Sequence, residues 1–185
     1  MAYGRLFIFV EGPDDERFFE KVVIPRLENK YDCVEVRHYR KSTKEYLNRF
    51  IESINAMNTE LMKTDYIFVT DIDITPCVTY KKQKIKNIYR RLDEDLIVVV
   101  KKEIESWYLA GLSDEGRRKL RVNHIPNSTN DITKEQFNSL KPKRFDSEID
   151  FMLEVLKYFS IDNAKQRNAS FKYFFDKFVE NSVRF

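Results

Sequence analysis

Short, strongly apolar runs alternate along this chain with stretches whose apolar residues recur every three or four positions. A run too short for a helix and apolar throughout reads as a strand covered on both faces, and the amphipathic stretches between such runs read as helices. Strands separated by helices of that length pair in parallel, so the chain is expected to fold as an α/β domain. The expected strands are Arg5 to Val10, Val34 to Tyr39, Tyr66 to Thr70 and Leu96 to Val100. Between them, Phe18, Phe19, Val22, Val23 and Leu27 mark one helix face. Leu47, Phe50, Ile51, Ile54, Met57 and Leu61 mark a second, and Ile85, Ile88, Tyr89 and Leu92 a third. A helix from Ile104 to Leu112 comes next, then helical stretches near Lys134 to Leu140, Ser147 to Phe159 and Ser170 to Ser182. The expectation is an α/β domain over residues 1–122 with a helical C-terminal extension over 123–185 packed on it.

Three of the apolar runs end in acids. Glu11 follows the first, with Asp15 four residues on; Asp71 and Asp73 follow the third; Glu103 and Glu105 follow the fourth. Ligands of an open parallel sheet gather at the carboxyl ends of its strands, so these acids would meet at one rim. Alternation along a strand would point Asp71 and Asp73 to the same side. Crowded carboxylates repel one another, and a divalent cation bound through oxygen, Mg²⁺ or Mn²⁺, resolves the repulsion. Each piece also has a local explanation. Asp14, Asp15 and Glu16 are the first-turn acids that a helix dipole favours. Asp71 and Asp73 could start a loop by satisfying free backbone amides, and Glu103 and Glu105 could open a helix.

Net charge is only +3, but the basic residues are grouped. Lys81, Lys82, Lys84, Lys86, Arg90 and Arg91 follow the third strand with no acid among them; Arg117, Arg118, Lys119 and Arg121 form a second group, and Lys141, Lys143 and Arg144 a third. Basic stretches beside an acidic rim suit a polyanion such as nucleic acid, and the ordinary alternative is a set of solvated helix faces. With 42% hydrophobic and 34% charged residues the composition excludes a disordered chain. Cys33 and Cys77 lack the spacing of a zinc site. No apolar run approaches a membrane span, and a strand starting at Arg5 leaves no room for a signal peptide, so a cytoplasmic location is expected.

A first strand ending in Glu11 and Gly12, followed after helix, strand and helix by a strand ending in Asp71 and Asp73, resembles the Toprim domain of topoisomerases, primases and overcoming-lysogenization-defect (OLD) nucleases. The resemblance covers roughly residues 5 to 112. The acid at Asp15 is similar to the nuclease branch, where a second acid four residues after the first belongs to the metal site. The segment Glu103 to Ala110, with Trp107, resembles one in small stand-alone Toprim-like proteins, and Lys141 to Lys143 resembles a later Lys-containing segment. The resemblance implies a Rossmann-like central parallel sheet of about four strands flanked by helices. It implies metal ligation by Glu11, Asp15, Asp71, Asp73, Glu103 and Glu105, catalysis by Glu11, Asp71, Asp73 and Lys143, and nucleic-acid contact along Lys81, Lys82, Lys84, Lys86, Arg90 and Arg91.

The function implied is that of an Mg²⁺- or Mn²⁺-dependent nuclease acting on DNA or RNA, in phage defence or DNA repair, with a partner protein or a second copy as its company. The chain carries no Gly-x-x-x-x-Gly-Lys-Ser/Thr loop, so the ATPase module of the larger relatives is not expected. A non-catalytic Toprim-like regulatory protein that binds nucleic acid or metal is one alternative. Another is a haloacid-dehalogenase-type phosphatase, since Asp71, Asp73 and Thr75 fit its Asp-x-Asp-x-Thr motif with Asp71 as nucleophile. That motif normally ends the first strand of its domain, whereas here it ends the third.

Overall fold

The computed structural model describes residues 3–59 and 62–181, so Leu61 and Ser182, both expected in helices, lie outside the described residues. The chain divides after Val99 into two compact units. The first is built on a four-stranded sheet in which β1 (Tyr3–Val10), β2 (Cys33–His38), β3 (Met62–Asp71) and β4 (Ile97–Val100) stand in the order β2-β1-β3-β4. The sheet is all parallel and flanked by helices, as the sequence pattern predicts. Arg5 on β1 faces Cys33 on one side and Thr64 on the other, which sets the register.

The strand order reverses once. After β1 the chain steps outward to β2, then returns across β1 to place β3 on its far side. The crevice outside the carboxyl ends of β1 and β3 is therefore the topological switch point, where open α/β sheets take their ligands. Leu6 to Val10 and Ile97 to Val100 are buried along their whole length, and β2 is half-buried throughout, as befits an edge. β3 starts at Met62, four residues before the apolar run that announces it.

Pro13 opens α1 (Pro13–Phe18), which continues through a π-helical turn, Phe19–Val23, into α2 (Ile24–Leu27). Pro25 has no amide hydrogen to give the preceding turn, and the ladder widens just ahead of it. The Arg26 guanidinium donates to the Val22 carbonyl at 2.5 Å and satisfies it. Thr43 caps α3 (Lys44–Met57) by accepting from the Tyr46 amide at 3.2 Å, and Leu47, Ile51 and Ile54 form its buried face. α4 (Val78–Ile88) buries Ile85, with Tyr89 and Leu92 buried just beyond it.

The second unit holds α5 (Glu105–Gly111), α6 (Asp114–Leu120), α7 (Lys134–Ser139), α8 (Glu148–Lys157), α9 (Ile161–Arg167) and α10 (Ala169–Phe174), the last running into a π-helical turn, Phe175–Glu180. α6 and α9 are absent from the sequence-based expectation. Each is short and polar, burying little besides Leu120 and Ala164, so neither has a periodic apolar face to announce it. The unit is centred on Trp107, whose ring stacks on Phe174 and meets Phe171 edge-on, both at 5.3 Å. Helices α5 and α9 approach closely, and Gly111 is required where Phe159 crosses, because a Cβ there would lie 2.1 Å from its ring. Among the described residues no helix is long and apolar enough to cross a membrane.

Candidate functional site

Glu11 leaves the end of β1 and Asp71 closes β3, so the order of the sheet sets them side by side. The contact is direct. The Asp71 amide donates to Glu11 Oε1 at 3.1 Å, and the Thr70 hydroxyl donates to the same oxygen at 3.0 Å. Thr70 in turn accepts from the Tyr39 hydroxyl at 3.2 Å, which makes a relay from the end of β2 through β3 to the β1 carboxylate. The other Glu11 oxygen is ion-paired with Arg40, which lies in the 3₁₀ turn Tyr39–Lys41 after β2. The Glu11 side chain is only 9% exposed, whereas Arg40 is 62% exposed, so the cation lies over a carboxylate set back in the rim.

Asp73 is held differently from the expectation. The strand ends at Asp71, and Asp73 follows in a turn with φ 51°, the left-handed region, so strand alternation does not govern where it points. Its carboxylate meets Lys81 Nζ at 2.5 Å. Lys81 is 3% exposed, which places it among the buried groups of the acidic site and not on an open basic face. Burial works against the Arg40 charge, but Glu11 first, then Tyr39 and Asp73, outweigh it and raise its pKa. Arg40 thus feels Glu11 and Asp73 together.

Asp15 is buried in the first turn of α1, where its carboxylate accepts from the Gly12 amide at 3.1 Å. It fixes the backbone one residue beyond Glu11 and so helps to aim that side chain. Asp14 pairs with Arg17 at 2.7 Å, and Glu16 with His38 at 2.9 Å.

Of the basic residues after β3, Lys84, Lys86 and Arg90 are exposed. Lys82 donates to the Glu94 carbonyl at 3.0 Å, and Arg91 pairs with Glu52 at 3.2 Å. Glu103, Glu105 and Lys143 belong to the second unit. There Glu103 accepts from the Lys134 amide at 2.5 Å, and Lys134 Nζ lies 3.2 Å from the buried Glu105 and 3.4 Å from Glu148. Lys143 is exposed in a turn between α7 and α8.

The donor set of Glu11, Asp71 and Asp73 is oxygen only, as magnesium and manganese require. Arg40 and Lys81 supply the positive charge that such carboxylates need, and Arg40, the more exposed of the two, is the one an incoming ion or phosphate could relieve. The donor chemistry suits a divalent ion, but among the described residues the carboxylate oxygens of Glu11, Asp71 and Asp73 do not all lie within 4.8 Å of one another. Tyr39, Arg40 and Thr70 are part of this site although no acid motif marks them. The signal for Tyr39 and Arg40 was available in the run from Arg37 to Lys41 at the carboxyl end of β2, the same rim of the sheet, whereas Thr70 is marked only by its place before Asp71 on β3.

The Tyr39 hydroxyl is pushed well above its ordinary value of 10.0, first by burial and next by the Glu11 charge. The unfolded chain releases this proton near pH 10 while the folded protein keeps it. The stability contributed by Tyr39 is therefore whole below that pH and is lost as pH rises above it. Replacing Tyr39 by Phe is expected to flatten the fall of stability above pH ~10 by about 1.4 kcal/mol per pH unit. Urea unfolding on either side of that pH, compared between wild type and Tyr39→Phe, measures it; identical slopes would contradict the assignment.

No family model matches the chain, and no curated protein matches it. Among solved structures it is similar to the C-terminal region of the Burkholderia pseudomallei OLD protein, at 15% identity over 92% of this chain and 89% of that one, with a TM-score of 0.34.

Proposed function

We propose that this chain is a divalent-metal-dependent nuclease hydrolysing phosphodiester bonds of nucleic acid. The observation that carries the reading is the hydrogen bond from the Asp71 backbone amide to the Glu11 carboxylate, which sets the two acid-bearing strand ends side by side at the switch point of the sheet. The Glu-Gly and Asp-x-Asp pattern that resembles Toprim nucleases falls on these same residues. A divalent ion held there would act as a Lewis acid and lower the pKa of attacking water.

The protein's own part can be assigned residue by residue. Thr70 and the Asp71 amide hold Glu11 Oε1 in one orientation, and Asp15 fixes the turn from which Glu11 projects. Arg40 leaves Glu11 for a non-bridging phosphate oxygen of the substrate, where it offsets the charge that develops as water adds to phosphorus. The ester P–O bond then breaks; the attacking water's proton passes to solvent and the leaving alkoxide takes one up from solvent, giving a phosphomonoester and an alcohol. Lys84, Lys86 and Arg90, exposed on and just after α4, follow the nucleic-acid backbone. Lys143, Glu103 and Glu105 are assigned by the resemblance alone, as phosphate contact and additional ligands.

One observation favours a second reading. Arg40 and Lys81 already neutralise Glu11 and Asp73, which is how a non-catalytic nucleic-acid-binding protein without metal would be arranged. The deciding experiment incubates the protein with labelled DNA and RNA in Mg²⁺, Mn²⁺ or chelator, beside Asp71→Ala. Metal-dependent cleavage lost in the variant is the expected result. No cleavage with either metal, or cleavage unchanged by the substitution, would refute the nuclease reading.

A further inference from the structure

A cavity of about 310 Å³ opens within the first unit at the carboxyl end of β2, between the start of α1 and α3. It is large enough for a small ligand. One wall is aromatic. The rings of Tyr46 and Phe50 lie nearly parallel, 6.1 Å apart at 12°. Phe50 is braced edge-on by Phe7 and Phe9 at 5.1 and 5.9 Å, which leaves the 52%-exposed Tyr46 as a flat apolar face supported from behind. Such a face suits a nucleobase, because every base presents a π-surface to stack.

The rest of the lining is polar and cationic and includes Arg37, His38, Lys41 and Ser42, with the Arg37 guanidinium 4.9 Å over the Phe50 ring. Arg37 is ion-paired with Glu35, and His38 Nε2 lies 2.9 Å from Glu16. Lys41 enters no ion pair among the described residues, so its charge is left for an anion. Lys41 adjoins Arg40 in the turn Tyr39–Lys41, and Arg40 reaches Glu11. One short turn therefore serves both the cavity and the acidic site.

We propose that this cavity takes one unstacked nucleotide of a single-stranded nucleic acid, its base on the exposed ring of Tyr46, which Phe50 supports from behind, and its phosphate at Lys41 and Ser42. The adjoining phosphodiester is then presented to Glu11 and Asp71. The inference rests on the nuclease reading for that last step only.

Binding is measured in chelator, so that no cleavage intervenes, by anisotropy of labelled oligothymidylate, oligouridylate and a DNA duplex. Tyr46→Ala is expected to weaken single-strand binding about tenfold and to leave duplex binding unchanged. Lys41→Ala is expected to reduce the slope of log Kd against log salt by about 0.7, the value for one single-strand phosphate contact. Preference between the two single strands tells DNA from RNA as the source of the nucleotide. Thymidine monophosphate should compete better than inorganic phosphate; equal competition would reduce the cavity to an anion site and overturn the proposal. Single-strand binding unchanged in Tyr46→Ala, or absent in wild type, would also overturn it, whatever the cleavage assay shows. Binding that depends on Tyr46 in a protein that never cleaves supports the cavity and counts against the nuclease.

Discussion

Glu11→Gln is expected to lower metal-dependent cleavage by at least about 100-fold, since even partners that only orient a metal ligand cost ten- to a hundredfold when lost. Gln retains an oxygen to accept from Thr70 and from the Asp71 amide, so the local hydrogen bonds persist while the charge is removed. The ion pair with Arg40 is lost, but Arg40 is 62% exposed, which limits the cost in stability to about 1 kcal/mol or less. The variant should therefore fold normally and fail chemically. Calorimetric titration with Mn²⁺ gives a readout independent of turnover and should show weakened binding. Wild-type cleavage in a folded Glu11→Gln protein would remove Glu11 from the site.

Asn168→Ala is expected to destabilise the protein by about 3 kcal/mol, through loss of a helix cap and of buried hydrogen bonds together. Asn168 is fully buried in the second unit. Its Nδ2 donates to Ser106 Oγ at 3.2 Å and to Thr129 Oγ1 at 3.1 Å. Its Oδ1 accepts from the Ser170 amide at 3.1 Å, the Ser170 hydroxyl at 2.8 Å and the Phe171 amide at 3.0 Å, which caps α10. The Ser170 hydroxyl then accepts from the Trp107 indole at 2.9 Å and the Lys101 amide at 3.1 Å, so one side chain orients the centre of the unit. Asn130→Ala is the control. Asn130 also binds the start of α10, accepting from the Ala169 amide at 2.9 Å, but from an exposed position, and should cost less than about 1 kcal/mol. Urea midpoints of the two variants measure the contrast, and equal losses would show that burial is not the cause.

The helices and strands that could be read in advance are those whose burial leaves a periodic mark. β1 and β4 are covered on both faces and are apolar throughout, and α3 repeats Leu47, Ile51 and Ile54 on one face. α6 and α9 bury almost nothing of their own, and their local signals are single serine caps, Ser113 and Ser160, of a kind that loops also carry. Asn168 has no pattern at all, since its partners lie about 40 to 60 residues away in sequence, apart from those just after it.

The acidic site divides along the same line. Alternation of apolar and amphipathic segments establishes parallel strands, and the residues that end those strands establish which carboxylates reach the rim, because both follow from periodicities a few residues long. Strand order is a different matter. Any of several orders would satisfy the same periodicities, and β2-β1-β3-β4 is the one that sets Glu11 against Asp71 and opens the crevice between them. Packing likewise ended β3 at Asp71, turned Asp73 toward a buried Lys81, and brought Arg40 and Tyr39 from the neighbouring strand to the Glu11 carboxylate and its Thr70 partner. These contacts join residues that are remote or out of strand register, so only the folded arrangement, which selects among the pairings local pattern allows, decides them.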